Sequence, residues 1–179
     1  MSITQYNVSY NNKGVVEMEN LEQYKEFGDW ELRKKNIETI LKYVNCVTDE
    51  EHLNRWKLYA EDGVRRVSCT TNGETYMIGA IGHDSLRESD AWNNKYFPDY
   101  RFVNNRIFQT QNPNCFVVLS EGKGYIDYPA YGGKRPYDSF FVHIFEMENG
   151  KIKVYSENMN YCTQFKALGI ELPIMETPK

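Results

Sequence analysis

Cysteine and histidine are scarce: four Cys and three His in 179 residues. Cys46, Cys69, Cys115 and Cys162 lie far apart, with no Cys-x-x-C and no histidine pair at ligand spacing. That excludes a zinc site and a disulfide framework as organising features. No long basic run occurs and the net charge is -4, which argues against nucleic acid as a partner. The densest basic cluster, Arg33-Lys34-Lys35, reads as the solvated face of a helix. No apolar run approaches a membrane span and no apolar leader stands at the N-terminus, so the expectation is a soluble, cytoplasmic protein.

Aromatic residues are the surplus. They make up 15% of the chain and include 14 Tyr, more than a minimal core needs, which points to an aromatic-lined cavity or interface. The length suits one domain with a substantial core. Residues 1–28 are polar and without sustained periodicity and read as an N-terminal arm, leaving 29–179 as the single domain.

After Asp29, a candidate cap, the positions Ile37, Ile40, Leu41 and Val44 recur at helical spacing and predict an amphipathic helix to about Cys46. Thr48-Asp-Glu-Glu51 is a capping box; Leu53, Trp56 and Ala60 continue its helix, Gly63 ends it, and the two helices should pack together. Val64 to Thr70 and Glu74 to Ile81 predict strands joined at Asn72-Gly73. A third helix begins near Asp84. Its face of Ser85, Ser89, Trp92, Asn93 and Tyr96 is more polar than a core stripe, and it either looks into a cavity or belongs to a surface helix buried through Leu86, Trp92 and Phe97.

Beyond Pro98, Tyr100 to Thr110 and Cys115 to Tyr128 predict long strands, and Pro129 to Ser139 a loop. Next comes a hairpin turning at Asn149-Gly150. Unbroken register from that turn pairs Glu148 with Lys151 and Glu146 with Lys153, then sets Phe140, Val142 and Ile144 against Met159, Glu157 and Tyr155. The opposite side carries Phe141, His143, Phe145 and Met147 against Asn158, Ser156, Val154 and Ile152, so both faces look covered. Helices on one face and a cavity on the other would explain the pattern. A desolvated Glu157 in that cavity would titrate above the usual value of about 4.3 and serve as a general acid; alternatively it sits, partly wet, at a strand end. A short helix over Cys162 to Leu168, with Gly169 after it and Pro173 blocking continuation, closes an α+β order of elements.

Ser156-Glu-Asn-Met-Asn160 and Phe165-Lys-Ala-Leu-Gly-Ile170 carry a resemblance, joined by Glu31-Leu-Arg-Lys-Lys-Asn36, Ala60-Glu-Asp-Gly63, Phe97-Pro-Asp99, Arg106-Ile-Phe-Gln-Thr-Gln-Asn-Pro-Asn114 and Glu148-Asn-Gly-Lys-Ile152. In these blocks, from about Trp30 to Pro173, the chain resembles the phenazine biosynthesis A/B family. The resemblance implies an NTF2-like cone: a strongly curved, mostly antiparallel sheet wrapped by about three helices around a pocket. It also implies a homodimer, no metal or organic cofactor, and condensation of two aminooxocyclohexene carboxylate molecules into a tricyclic phenazine precursor. By the same resemblance Glu157 matches the catalytic glutamate, and Arg55, in Asn54-Arg-Trp-Lys57, an arginine that binds substrate carboxylate across the dimer interface. Tyr137 and Trp92 match pocket residues, and Tyr155, Met159 and Val142 are expected beside Glu157. The family histidine is replaced by Ser89 and a family serine by Asn93. Neither His83, on the same helix, nor His143, expected on the opposite sheet face, is an obvious substitute. That substitution leaves open a diverged binding protein, or an isomerase or cyclase on the same fold.

Overall fold

The computed structural model describes residues 28–71 and 74–171. The expected arm, the Asn72-Gly73 turn and Pro173 lie outside the described residues, apart from Gly28 at the arm's end. Four helices, α1 (Trp30–Val44), α2 (Asp49–Leu53), α3 (Gly82–Tyr96) and α4 (Tyr161–Ala167), flank one sheet. Its strands are β1 (Tyr59–Thr71), β2 (Glu74–Ile81), β3 (Arg101–Gln109), β4 (Cys115–Tyr128), β5 (Gly133–Glu148) and β6 (Lys151–Met159), in the order β2-β1-β6-β5-β4-β3. Only β1 and β6 among these neighbours run parallel. The fold is α+β, as expected.

Helix α1 buries Ile37, Ile40, Tyr43 and Val44 against the sheet. Asp29 adopts a left-handed conformation and caps nothing with its side chain. Arg33 corrects the expectation of a solvated basic face, because it is 1% exposed. Its guanidinium donates to Gln109 Oε1 and to the carbonyls of Thr110 and Gln111, while Asn36 donates to Pro113 O and Asn114 Oδ1. One helix thereby pins the β3–β4 connection.

The capping box forms, with Glu51 N–H donating to Thr48 Oγ1 and Thr48 N–H to Glu51 Oε2. The helix behind it is shorter than expected. It stops at Leu53 and buries nothing, so the expected packing of two helices gives way to α1 lying on the sheet. A 3-10 turn, Arg55–Leu58, follows, and β1 starts at Tyr59. Gly63 ends no helix; it sits in a wide bulge of β1, where a Cβ would come within 2.8 Å of Tyr59 Cβ and 3.0 Å of Ile152 O. A further difference concerns 133–139, which extend β5 rather than form a loop.

Asn149 and Gly150 take φ of 53° and 82°, the two positive values that a type I′ turn requires. Glu148 faces Lys151 as expected and Met147 faces Ile152, but the register then slips: Val154 opposes Glu146, and Tyr155, Glu157 and Met159 oppose Phe145, His143 and Phe141. Lys153 is the extra residue. It bonds Asp62 in the bulge of β1 and lies 3.6 Å from Glu148 Oε2, so the expected pairing with Glu146 is lost. The slip turns every partner over. His143 shares a face with Glu157, and Val142, opposite Asn158, faces the other side of the sheet.

One face of the sheet does both jobs that were expected of two. Near the turn it packs under α1, through Phe116, Val118, Phe145, Ile152 and Tyr155. Further along, α3 and α4 stand off and leave a cavity. The outer face, with Val117, Leu119, Val142 and Ile144, is only half-buried. Helix α4 ends in a Schellman motif at Gly169, with Ile170 N–H donating to Phe165 O and Gly169 N–H to Lys166 O.

Candidate active site

The cavity holds about 420 Å³, within the range of small-molecule sites. Its walls are aromatic. Phe97, Tyr100, Phe102, Tyr137 and Phe141 line it, and Tyr100 and Tyr137 stack with ring centroids 5.2 Å apart. Room for that stack comes partly from Gly122, where a Cβ would fall 2.1 Å from Tyr100 Oη and 2.5 Å from Phe141 Cε2.

Helix α3 presents Ser89, Trp92 and Asn93 to the cavity, which decides between its two readings, while Leu86 and Asp90 are buried beneath. Asn93 Nδ2 donates back to Ser89 O at 2.8 Å. Trp92, 47% exposed, stands at the rim, and Tyr96 stacks on Tyr128 outside the cavity. Met159 and Tyr137 line the wall, Tyr137 from β5. Val142 does not, because the bulge at Lys153 has turned it outward.

Four charged side chains converge at the base. Glu157 is 6% exposed, and Arg65 Nη2 lies 3.7 Å from its Oε2. Arg65 Nη1 lies 3.5 Å from Asp90 Oδ1 and 3.4 Å from Ser89 Oγ, while Arg55 Nε is 4.0 Å from Asp90 Oδ1. Asp90 Oδ2 also accepts the Trp56 N–H at 2.8 Å, tying α3 to the turn that carries Arg55. Burial pushes the Asp90 carboxyl above its ordinary value against the pull of Arg55 and Arg65. Arg55 also lies over the Tyr43 ring, 5.0 Å from its centroid.

Arg55 therefore lines the pocket of its own chain. Neither Arg65 nor Asp90 emerged from the sequence. The available signal was an Arg two residues before Val67 on a strand whose alternate side chains face inward. Among the described residues, Arg55 Nε, Arg65 Nε and the Tyr43 hydroxyl are buried without an acceptor. As side chains lining the cavity, the two guanidiniums suit an anionic group such as a carboxylate. Among the described residues no cluster of three or more His, Cys, Asp or Glu could hold a metal ion.

Residues 18–178 match the phenazine biosynthesis protein A/B family. The chain belongs to that family. Phenazine biosynthesis protein PhzB2 of Pseudomonas aeruginosa is 40% identical over 143 residues, 80% of this chain and 86% of the relative. A crystal structure of a phenazine biosynthesis-related protein from the same organism superposes with a TM-score of 0.77 at 38% identity, covering 83% of this chain and 90% of that one. An NTF2-like protein of unknown function from Burkholderia pseudomallei, only 14% identical, superposes with a TM-score of 0.59 over 75% of this chain and 97% of its own. The fold is NTF2-like. Two sequence blocks that mark the A/B resemblance, at 31–36 and 106–114, prove to be the two sides of one joint, Arg33 and Asn36 against the β3–β4 connection.

Next to Glu157 on the same sheet face, under α1 and outside the cavity lining, stands Tyr155, fully buried, whose hydroxyl donates to Glu157 Oε2 at 2.6 Å. It supports the carboxylate rather than lining the wall. The same hydroxyl lies 2.8 Å from His143 Nδ1. Burial lowers His143 to about 4, with Arg55 and Arg65 adding to the effect and Glu157 opposing it. The unfolded chain has an ordinary histidine near 6.5, so between those values it binds a proton that the fold refuses. Stability from this residue is full above about pH 6.5 and falls as the pH drops toward 4. The expected loss between pH 7 and pH 5 is about 2 kcal/mol. Urea unfolding of wild type and His143→Gln at both pH values checks it: the drop should be smaller by that amount in the variant, and equal drops would refute it.

Proposed function

We propose that this protein promotes the imine-forming condensation of two aminooxocyclohexene carboxylate molecules into a tricyclic phenazine precursor, with Glu157 as the acid/base and Arg55 as carboxylate anchor. The observation that carries the reading is the buried Glu157 carboxylate sharing an aromatic-walled cavity with the guanidiniums of Arg55 and Arg65. Ring walls suit planar six-membered substrates, and the guanidiniums suit their carboxylates. When an amine adds to a ketone, the carbon–oxygen π bond breaks as the carbon–nitrogen bond forms. On the way to the imine the nitrogen sheds two protons and the former carbonyl oxygen gains two, the first to become hydroxyl and the second to depart as water. A single carboxylate can take each proton from nitrogen and deliver it to oxygen in turn. Bringing two reactants into one cavity supplies further rate through effective concentration.

Ser89, standing where the family histidine is expected, favours a second reading: a protein that binds the substrate without turning it over. Product absorbance separates the two. Wild type should accelerate condensation over the uncatalysed rate, and Arg55→Ala should raise KM by about tenfold, consistent with losing about 1.5 kcal/mol or more of a charged hydrogen bond. Tight ligand binding with no acceleration would sink the catalytic reading.

The proposal includes a cytoplasmic homodimer. The partly exposed apolar outer face of the sheet, Val117, Leu119, Val142 and Ile144, supports a second copy there. Light scattering that gives a monomer mass at assay concentration would overturn it. No helix among the described residues is long and apolar enough to cross a membrane.

A further inference from the structure

The replacement of the family histidine by Ser89 makes the position of every other histidine matter, and His143 is the one that reaches Glu157. The two are joined through a single phenol. Tyr155 Oη donates to Glu157 Oε2 at 2.6 Å and lies 2.8 Å from His143 Nδ1, and all three side chains are buried.

A phenol carries one hydrogen. The 2.6 Å contact falls in the range of a charge-assisted O–H···O⁻ bond, about 2.5–2.7 Å, so that hydrogen is committed to the carboxylate. Tyr155 Oη then has only lone pairs to offer His143, and Nδ1 must bring the proton. Nε2 is left as a bare lone pair, consistent with its having no hydrogen-bond partner among the described residues. It sits among rings: Phe102, Phe141 and Phe145 have centroids 4.7, 5.6 and 6.3 Å from that of His143. The charged groups that act on the imidazole are Glu157 on β6, Arg65 on β1 and Arg55 from the 3-10 turn. Burial outweighs the attraction of Glu157, and the ring is neutral at pH 7.

We propose that His143 and Tyr155 are positioning residues for Glu157. His143, as the neutral Nδ1–H tautomer, fixes the phenol rotor so that its hydrogen always meets Oε2, leaving Oε1 to exchange protons with a substrate in the cavity. The inference rests on the acid/base reading of Glu157. Oε2 is also the oxygen nearest Arg65, so all of the described polar contacts to the carboxylate fall on one of its two oxygens. The group that does the chemistry is thereby held at one orientation with its working oxygen unencumbered, which is what proton transfer demands of a positioned acid/base. If His143 were the Nε2–H tautomer, its Nδ1 would compete with the carboxylate for the single phenol hydrogen, and Glu157 would lose its donor in some fraction of molecules.

The test uses the full chain labelled with 15N-histidine. His143 is assigned as the imidazole signal lost in His143→Gln, which distinguishes it from His52 and His83. At pH 7 it should be neutral with the proton on Nδ1; an Nε2–H tautomer or an imidazolium would overturn the proposal. Tyr155→Phe removes the acceptor, so the His143 proton should move to Nε2. In the same variant kcat should fall by about tenfold or more with KM little changed, since misplacement of a reacting group costs up to about 10². Unchanged kcat in a folded Tyr155→Phe would overturn the positioning role even with the tautomer confirmed. Absence of condensation in wild type would refute the catalytic reading, and the tautomer measurement would still decide the arrangement of the three groups.

Discussion

Arg65→Met is expected to destabilise the fold by about 3–5 kcal/mol, the range found when one member of a buried ion pair is removed. Arg65 is 6% exposed and stands between two carboxylates, 3.5 Å from Asp90 and 3.7 Å from Glu157. Among the described residues, the substitution leaves Glu157 with no cation within salt-bridge distance and Asp90 with only Arg55 at 4.0 Å. Desolvation costs are then uncompensated. Apolar replacement of both partners should be far milder, so Arg65→Met/Glu157→Leu should recover part of the loss. Urea unfolding monitored by aromatic fluorescence measures both. A change under about 1 kcal/mol for Arg65→Met would mean that these charges are effectively solvated, as surface pairs are.

Glu157→Gln is expected to lower kcat for condensation by about 10² to 10⁴, the usual contribution of a positioned acid/base. KM should hardly move, because the amide keeps the size of the carboxyl and the guanidiniums that anchor substrate remain. Ser89 sits on the same cavity wall, its Oγ 3.4 Å from Arg65 Nη1. Ser89→His should therefore raise the rate by about tenfold or more by adding a second group that titrates near neutrality. Equal turnover in wild type, Glu157→Gln and Ser89→His would remove this site from the chemistry.

The features legible in the sequence were those encoded by near neighbours. Asn149-Gly150 names its own turn, Thr48 and Glu51 name their own cap, and the polar spacing of Ser89, Trp92 and Asn93 on α3 announces a face that is not core. Glu157 was findable for the same reason, as a carboxylate in an aromatic strand within a recognisable block. Features set by distant contacts were not. Arg33 looks like a surface charge until the carbonyls of Thr110 and Gln111 arrive to accept its hydrogens. The turn carrying Arg55 is drawn out of helix by Asp90, which takes the Trp56 N–H from another element. Asp90 and Arg65 are each unremarkable alone and gain meaning only as neighbours. The faces of His143 and Val142 were inverted because alternation counts residues faithfully only until a bulge, and Lys153 lies in none of the turn patterns that local sequence declares.

That bulge also makes the distance from turn to carboxylate adjustable. Lys153 is held outside the ladder, so deleting it would close β6 into a regular hairpin in which Tyr155 still meets Phe145 and Glu157 still meets His143. Removing one residue from 154 to 156 has two outcomes: if the bulge closes, Glu157 stays opposite His143, and if Lys153 stays outside the ladder, the acid swings to the other face. Length between the turn and Glu157 is therefore buffered by one residue, and a second deletion would find no bulge left to close.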